Sequence, residues 1–252
     1  MLNLYGFLIS ISILLCILVS KSLIDKDKLK QKEEILWGLS SWAIIGGIIG
    51  ARIYHVLSSL PSYLLHPLNI LAIWNGGLGI WGAIAGGIIG ALFYLKKQRQ
   101  NPMYWLDLAS VVLPLGQAIG RWGNFLNQEI FGTPTNLPWG IYIKPENRPS
   151  NFINFNKFHP LFLYESILDL VLFFILLTLY KKYSKTSPKG IFLSLYLGGY
   201  SAIRFYLEYL RPDSWKIGNL NVSQCISILV LAFSIVFIKY SSLQMNKEKR
   251  IK

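Results

Sequence analysis

Long apolar stretches recur along this chain, and that recurrence limits what it can fold into more than any single residue does. Windows near 4–20, 36–58, 70–95, 104–120, 160–180, 190–210 and 222–240 are each long enough to cross the ~30 Å hydrocarbon core of a bilayer as a helix. With no water in the hydrocarbon, backbone N–H and C=O groups must bond within the segment, which a helix achieves. The pattern predicts an all-α polytopic membrane protein with seven transmembrane helices. Only 15% of the 252 residues are charged, against 53% hydrophobic, so nothing suggests a soluble domain and 1–252 reads as one membrane domain. The first helix begins almost at Met1 and ends in Lys21 with no small-residue cleavage site after it, so it is expected to be retained rather than removed as a signal peptide.

A formal charge of +13 raises the question of nucleic-acid binding, and the placement of the basic residues answers it. Lys and Arg number five in 21–35, three in 96–103, four in 181–189 and five from Lys239 onward, whereas 59–69 has none and 211–220 has two. That alternation is the positive-inside pattern, which places the amino terminus outside and the carboxyl terminus in the cytoplasm. The basic loops are then topology signals and contacts for anionic lipid. No basic stripe with stacking aromatics lies outside the membrane windows, so no nucleic-acid partner is expected. Cys16 and Cys225 both fall inside apolar windows and read as packing residues, not as a disulfide or metal pair. No metal-ligand spacing is present and no cofactor is expected.

Polar chemistry concentrates at two places. The run 116–132 sets Arg121, Asn124, Asn127 and Glu129 directly after an apolar, membrane-length stretch. Ionisable residues at a bilayer need a partner, water or a ligand, which makes them functional candidates. The segment 121–159 carries Pro134, Pro138, Pro145 and Pro149 and is expected to form a small irregular extracytoplasmic cap on the same side. The second place is Tyr200, Arg204 and Glu208, at i, i+4 and i+8 on one helix face, with Arg211 beyond. One reading is a self-neutralising Arg204–Glu208 pair; the other is that Glu208 fixes Arg204 against an anion. Arg52 has a comparable setting, or serves instead as an anchor on the positive face. Guanidinium offers a planar fork of donors suited to phosphate, and in a membrane the abundant phosphate is a lipid headgroup.

Glycines fill 46–50 and 76–90. Small residues at spacings of three and four let membrane helices approach closely, and Gly76-Gly77 are the candidates for a helix break, so Asn75 to Trp81 could border a site.

The ordered set Tyr5-Gly6, Gly50-Ala51-Arg52, Trp74-Asn75-Gly76-Gly77, Gly120-Arg121-Trp122-Gly123-Asn124-Phe125-Leu126-Asn127-Gln128-Glu129, His159-Pro160 with Tyr164-Glu165, and Tyr200, Arg204 and Glu208 resembles the prolipoprotein diacylglyceryl transferase family over nearly the whole chain. The resemblance implies transfer of the sn-1,2-diacylglyceryl group from phosphatidylglycerol to the lipobox cysteine of a prolipoprotein, with release of glycerol 1-phosphate, in a bacterial cytoplasmic membrane with the site facing outward. It implies that Arg121 holds the lipid phosphate with Arg204, that Asn124 and Asn127 donate to headgroup oxygens, that Glu129 and Glu208 orient the arginines, and that Tyr5 lies near the headgroup or entering peptide. Gly132 shapes the turn into the cap. Tyr200 or Glu208 is left to accept the thiol proton, because the histidine of the family's Gly-Gly-x-x-x-His-Gly segment is replaced here by Trp81. His55, His66 and His159 read as structural, His159 marking the entry to a helix. The alternative classes are a lipid or solute transporter and a non-catalytic phospholipid-binding membrane component.

Overall fold

The computed structural model describes residues 4–24, 29–212, 215–218 and 220–251; Lys26, Lys28 and Lys252 of the basic segments lie outside them. The described residues are all-helical apart from short two-residue strands: α1 (Leu4–Leu23), α2 (Leu29–Ser58), α3 (Leu60–Leu65), α4 (Ile80–Lys97), α5 (Pro102–Leu126), α6 (Leu161–Tyr183), α7 (Ile191–Leu207) and α8 (Val222–Ile251). Five of these helices are long and apolar enough to cross a membrane, namely α1, α2, α4, α6 and α8. The protein is a multi-pass membrane protein. The chain divides into two compact units, Lys21–Pro102 and Met1–Ser20 with Met103–Lys252.

In the first unit α2 packs antiparallel on α4 through glycine. An added Cβ at Gly50 would stand 2.2 Å from the carbonyl oxygen of Gly82, and one at Gly86 would stand 2.2 Å from that of Gly46. Any side chain there would have to push one backbone off the other, so close packing is the reason for these glycines. The outward faces of both helices carry exposed Ile44, Ile45, Ile48, Ile88 and Ile89, as lipid contact requires.

The expected span 70–95 is corrected at its start. The chain makes 3-10 turns at Pro67–Leu71 and Ile73–Asn75, and the helix begins only at Ile80. Gly76 and Gly77 take φ of +84° and +73°, left-handed values that glycine adopts without a Cβ penalty, and they end the helical path. Arg52 organises this loop. Its Nε donates to the Ile70 carbonyl at 2.8 Å, Nη1 to Gly76 at 2.8 Å and Gly77 at 3.0 Å, and Nη2 to Asn69 and Ala72, with Tyr63 stacked beneath the guanidinium. The sequence-based reading of Arg52 as a further anion ligand is therefore corrected: its donors are spent on backbone carbonyls. Non-helical backbone at membrane depth needs such partners.

In the second unit α5 is the inner helix, with Trp105, Leu108, Val111, Val112, Pro114 and Ala118 buried along it. Three neighbours are tied to it by side chains. Cys16 of α1 donates its thiol to the Val112 carbonyl at 3.3 Å, and Ser166 of α6 donates to the Ala118 carbonyl at 2.9 Å. Asp107 of α5 reaches across to the start of α7, where its carboxylate accepts from the N–H of Gly190 at 2.6 Å and of Leu193 at 2.9 Å. A carboxylate at that position satisfies orphan donors and suits the positive end of the helix dipole. α7 in turn packs on α6 and α8.

The cap is corrected in two ways. Helix α5 continues past the expected end at 120 to Leu126, so Arg121 and Asn124 are helical and the cap begins after them. It is also less irregular than its prolines suggest. β1 (Ile141–Tyr142) pairs antiparallel with β2 (Lys157–Phe158) over a small core of Phe131, Ile143 and Phe158. After α7 the chain makes a 3-10 turn at Glu208–Leu210 and a second antiparallel pair, β3 (Lys216–Ile217) with β4 (Leu220–Asn221).

Candidate active site

Arg121 and Arg204 come from different helices, five residues before the last residue of α5 and in the last turn of α7, and they meet at a third helix. Glu165, in the second turn of α6 and only 2% exposed, receives Arg121 Nη2 on Oε1 at 2.5 Å, while Arg204 Nη1 stands 3.5 Å from its Oε2. The Tyr200 hydroxyl donates to the same Oε1 at 3.2 Å and lies 3.3 Å from Arg121 Nη2. Arg204 Nη2 also donates to Glu208 Oε2 at 2.8 Å, and Arg211 Nη1 is 3.8 Å from that oxygen. The i, i+4, i+8 triplet thus lies along one line, and the Arg204–Glu208 pair expected from spacing is present.

A hydrogen-bond chain extends from Arg121 toward the cap. Arg121 Nη1 donates to Asn124 Oδ1 at 3.3 Å; Asn124 Nδ2 and Asn127 Nδ2 donate to Glu129 Oε1 at 2.9 and 3.3 Å. Glu129 accordingly reaches Arg121 through Asn124. The two asparagine amides, expected to face headgroup oxygens, are held by Glu129 in this structure. Tyr5 lays its ring against Gly123, where an added Cβ would stand 2.4 Å from Tyr5 Cδ2. That contact is why the motif has glycine at this turn of α5. Gly132 donates its N–H to the His159 carbonyl at 2.8 Å, and an added Cβ would meet His159 Cβ at 2.7 Å. The turn into the cap closes there, and His159 sits just before α6 with Nδ1 3.2 Å from the Tyr164 hydroxyl.

Glu165 is the residue that the sequence reading passed over. It lies inside the Tyr164-Glu165 pair, to which the sequence assigns no role. The available signal is charge: Glu165 and Asp169 sit one turn apart as the two acidic residues of α6, and intramembrane carboxylates mark functional surroundings. Asp169 is fully buried with both carboxylate oxygens lacking a hydrogen-bond partner, and Arg121, Arg204 and Glu165 are the charges acting on it. Trp81, at the family's histidine position, lies in the other compact unit in the first turn of α4 and is exposed.

Both arginine side chains keep 18% of their surface open, so solvent or a ligand can reach them. Guanidinium groups held rigidly at such a place can take a phosphate by two forks at once and stabilise negative charge that develops on it. The fold and this centre together define a multi-pass membrane protein with two arginines converging on one buried glutamate.

Comparison with known proteins narrows the class. The chain belongs to the prolipoprotein diacylglyceryl transferase family, whose sequence profile matches residues 1–240. A relative from Nostoc sp. is 43% identical over 92% of this chain and 82% of its own length. Relatives from Trichormus variabilis and Prochlorococcus marinus are 44% identical over 89% of this chain and 80% of their own, and 36% identical over 98% and 91%. All three are named phosphatidylglycerol–prolipoprotein diacylglyceryl transferase.

Proposed function

We propose that this chain transfers the diacylglyceryl group of phosphatidylglycerol to the lipobox cysteine of prolipoproteins, the activity its relatives are named for. The observation that carries this for the chain's own residues is the convergence of Arg121 and Arg204 on Glu165. The thiol sulfur attacks the glyceryl carbon that bears the phosphodiester. A C–S bond forms, the C–O bond to phosphate breaks, and the electron pair leaves on the phosphate oxygen as glycerol 1-phosphate. The thiol proton departs to that phosphate or to solvent, by way of Tyr200 or Glu208.

The two arginines hold the phosphate and lower its barrier to leaving, since removing one such donor typically costs about 3 kcal/mol or more. The same cations favour thiolate over a thiol whose ordinary pKa is ~8.5. Glu165 keeps the two guanidiniums together between turnovers, Glu208 sets Arg204, and the Glu129–Asn124 chain sets Arg121. Tyr5 walls the seat from α1. We read α5 and α7 as the sixth and seventh membrane helices, with one transferase domain spanning 1–252, the cap outside and the carboxyl terminus in the cytoplasm of a bacterium. α7 is short, at 17 residues, and α5 carries both Asp107 and Arg121.

The test uses the purified chain in phosphatidylglycerol micelles with a synthetic lipobox peptide, following peptide mass and glycerol phosphate release. A diacylglyceryl mass gain that is lost with Arg121→Ala and with a Cys→Ser peptide supports the reading. No gain with folded protein overturns it in favour of lipid binding or transport.

A further inference from the structure

A polar cleft of about 540 Å³ opens beside the arginine centre, between the end of α5, the 3-10 turn at Pro145–Asn147 and the segment after α7. Its size falls in the range of about 300–1,000 Å³ that encloses a drug-sized molecule, which is room for a few residues of polypeptide. Its wall joins the centre twice. Glu129 is linked through Asn124 to Arg121, and Arg211 approaches Glu208, the partner of Arg204. Whatever lies in the cleft is therefore two side chains away from each guanidinium.

Two features of the wall mark it as a built site. Gln128 and Ile130, both lining it, hold φ of +52° and +55°. A β-branched residue in the left-handed region is a true outlier, and such strain gathers where a structure serves a ligand. The strained turn is braced from outside it: the Gln128 side-chain oxygen accepts from the Lys144 N–H at 2.9 Å and from Asn147 Nδ2 at 3.4 Å. The lining then mixes amides (Asn127, Gln128, Asn147) with charges of both signs (Glu146, Arg211). Amide side chains offer both a donor and an acceptor, as a peptide backbone does.

We propose that this cleft binds the polar stretch of the acceptor polypeptide immediately after the cysteine that is modified. The inference rests on the transferase reading. With the lipid phosphate on the arginines, the thiol must come within bonding reach of the adjacent glyceryl carbon. The residues before the cysteine belong to an apolar leader and remain in lipid. Those after it begin a polar chain and need a wet path out, and the cleft supplies one next to the centre. A departing glycerol phosphate would need far less room and would not use amides of mixed direction along two walls.

The experiment compares two lipobox peptides, one amidated directly after the cysteine and one extended by four polar residues, with wild type and with the Glu146→Ala/Asn147→Ala double variant. Both substituted residues stand on the cap wall. Wild type is expected to show a KM about tenfold lower for the extended peptide, roughly 1.4 kcal/mol. The double variant removes that advantage while kcat and the kinetics of the short peptide stay as in wild type. Fluorescence anisotropy of labelled Cys→Ser peptides measures the same preference without turnover. Equal KM and equal binding for both peptides in wild type overturn the proposal, as does a double variant that lowers kcat for both alike, the sign of product release through the cleft. Failure of wild type to modify either peptide strikes instead at the transferase reading, and the anisotropy arm still decides whether the cleft prefers the longer chain.

Discussion

Replacing Glu165 by Gln keeps the shape of the side chain and removes the one negative charge that two guanidiniums share at 2.5 and 3.5 Å. A single pair near 4 Å is worth about 4 kcal/mol at an effective dielectric of ~20, and burying the carboxylate offsets much of that. Deleting one partner nevertheless costs about 3–5 kcal/mol, because the opposite charges stay behind unpaired. Water reaches the open 18% of each arginine side chain and Glu208 still serves Arg204, so the lower end, ~3 kcal/mol, is the expected loss of stability. That is more than a hundredfold in the folding equilibrium.

The assay is equilibrium unfolding in micelles followed by circular dichroism, once in zwitterionic detergent and once with phosphatidylglycerol added. A ligand at ~100 times its Kd stabilises by about 2.7 kcal/mol. Phosphate on the vacated donors should return most of the loss in Glu165→Gln and give wild type a smaller gain. A loss below about 1 kcal/mol in zwitterionic detergent, or equal gains from the anionic lipid, would falsify the idea that Glu165 occupies the donors a phosphate uses.

Arg204→Lys keeps the charge and loses the fork, so kcat/KM should fall by ~10²-fold or more with helicity unchanged; near-normal turnover would remove Arg204 from the phosphate seat. Asp107→Asn weakens the carboxylate at the start of α7 and should cost about 1 kcal/mol in the same unfolding assay. Gly86→Ala drives a methyl into the Gly46 carbonyl and should destabilise by about 1–3 kcal/mol, whereas Gly120→Ala, with nothing within 4 Å, should be neutral. Prolonged chelation should leave peptide modification at full rate, and a loss restored by added metal would show that a metal participates.

The sequence was most legible where a property is carried by the chain locally. Apolar length announced the helices, and paired left-handed glycines at 76 and 77 announced the break before α4. The spacing of Tyr200, Arg204 and Glu208 announced a shared helix face because 3.6-residue periodicity is intrinsic to the helix. The cap was harder to read: its core of Phe131, Ile143 and Phe158 draws on three separate segments, so the prolines between them suggested less order than exists.

By itself the sequence determined that this is a helical membrane protein and which polar residues it has to place. It also determined the close approach of α2 and α4, since only glycine permits that contact. Apart from Arg204–Glu208, which helix spacing foretells, which charge meets which was decided by tertiary structure. Arg52 turned to its own loop's carbonyls, Asp107 to the start of α7, Glu129 to two asparagines, and Glu165 to both arginines of the centre. The reason is geometric: a pair across helices depends on the rotation and depth of each helix in the packed bundle, and those are fixed by contacts between segments far apart in the chain.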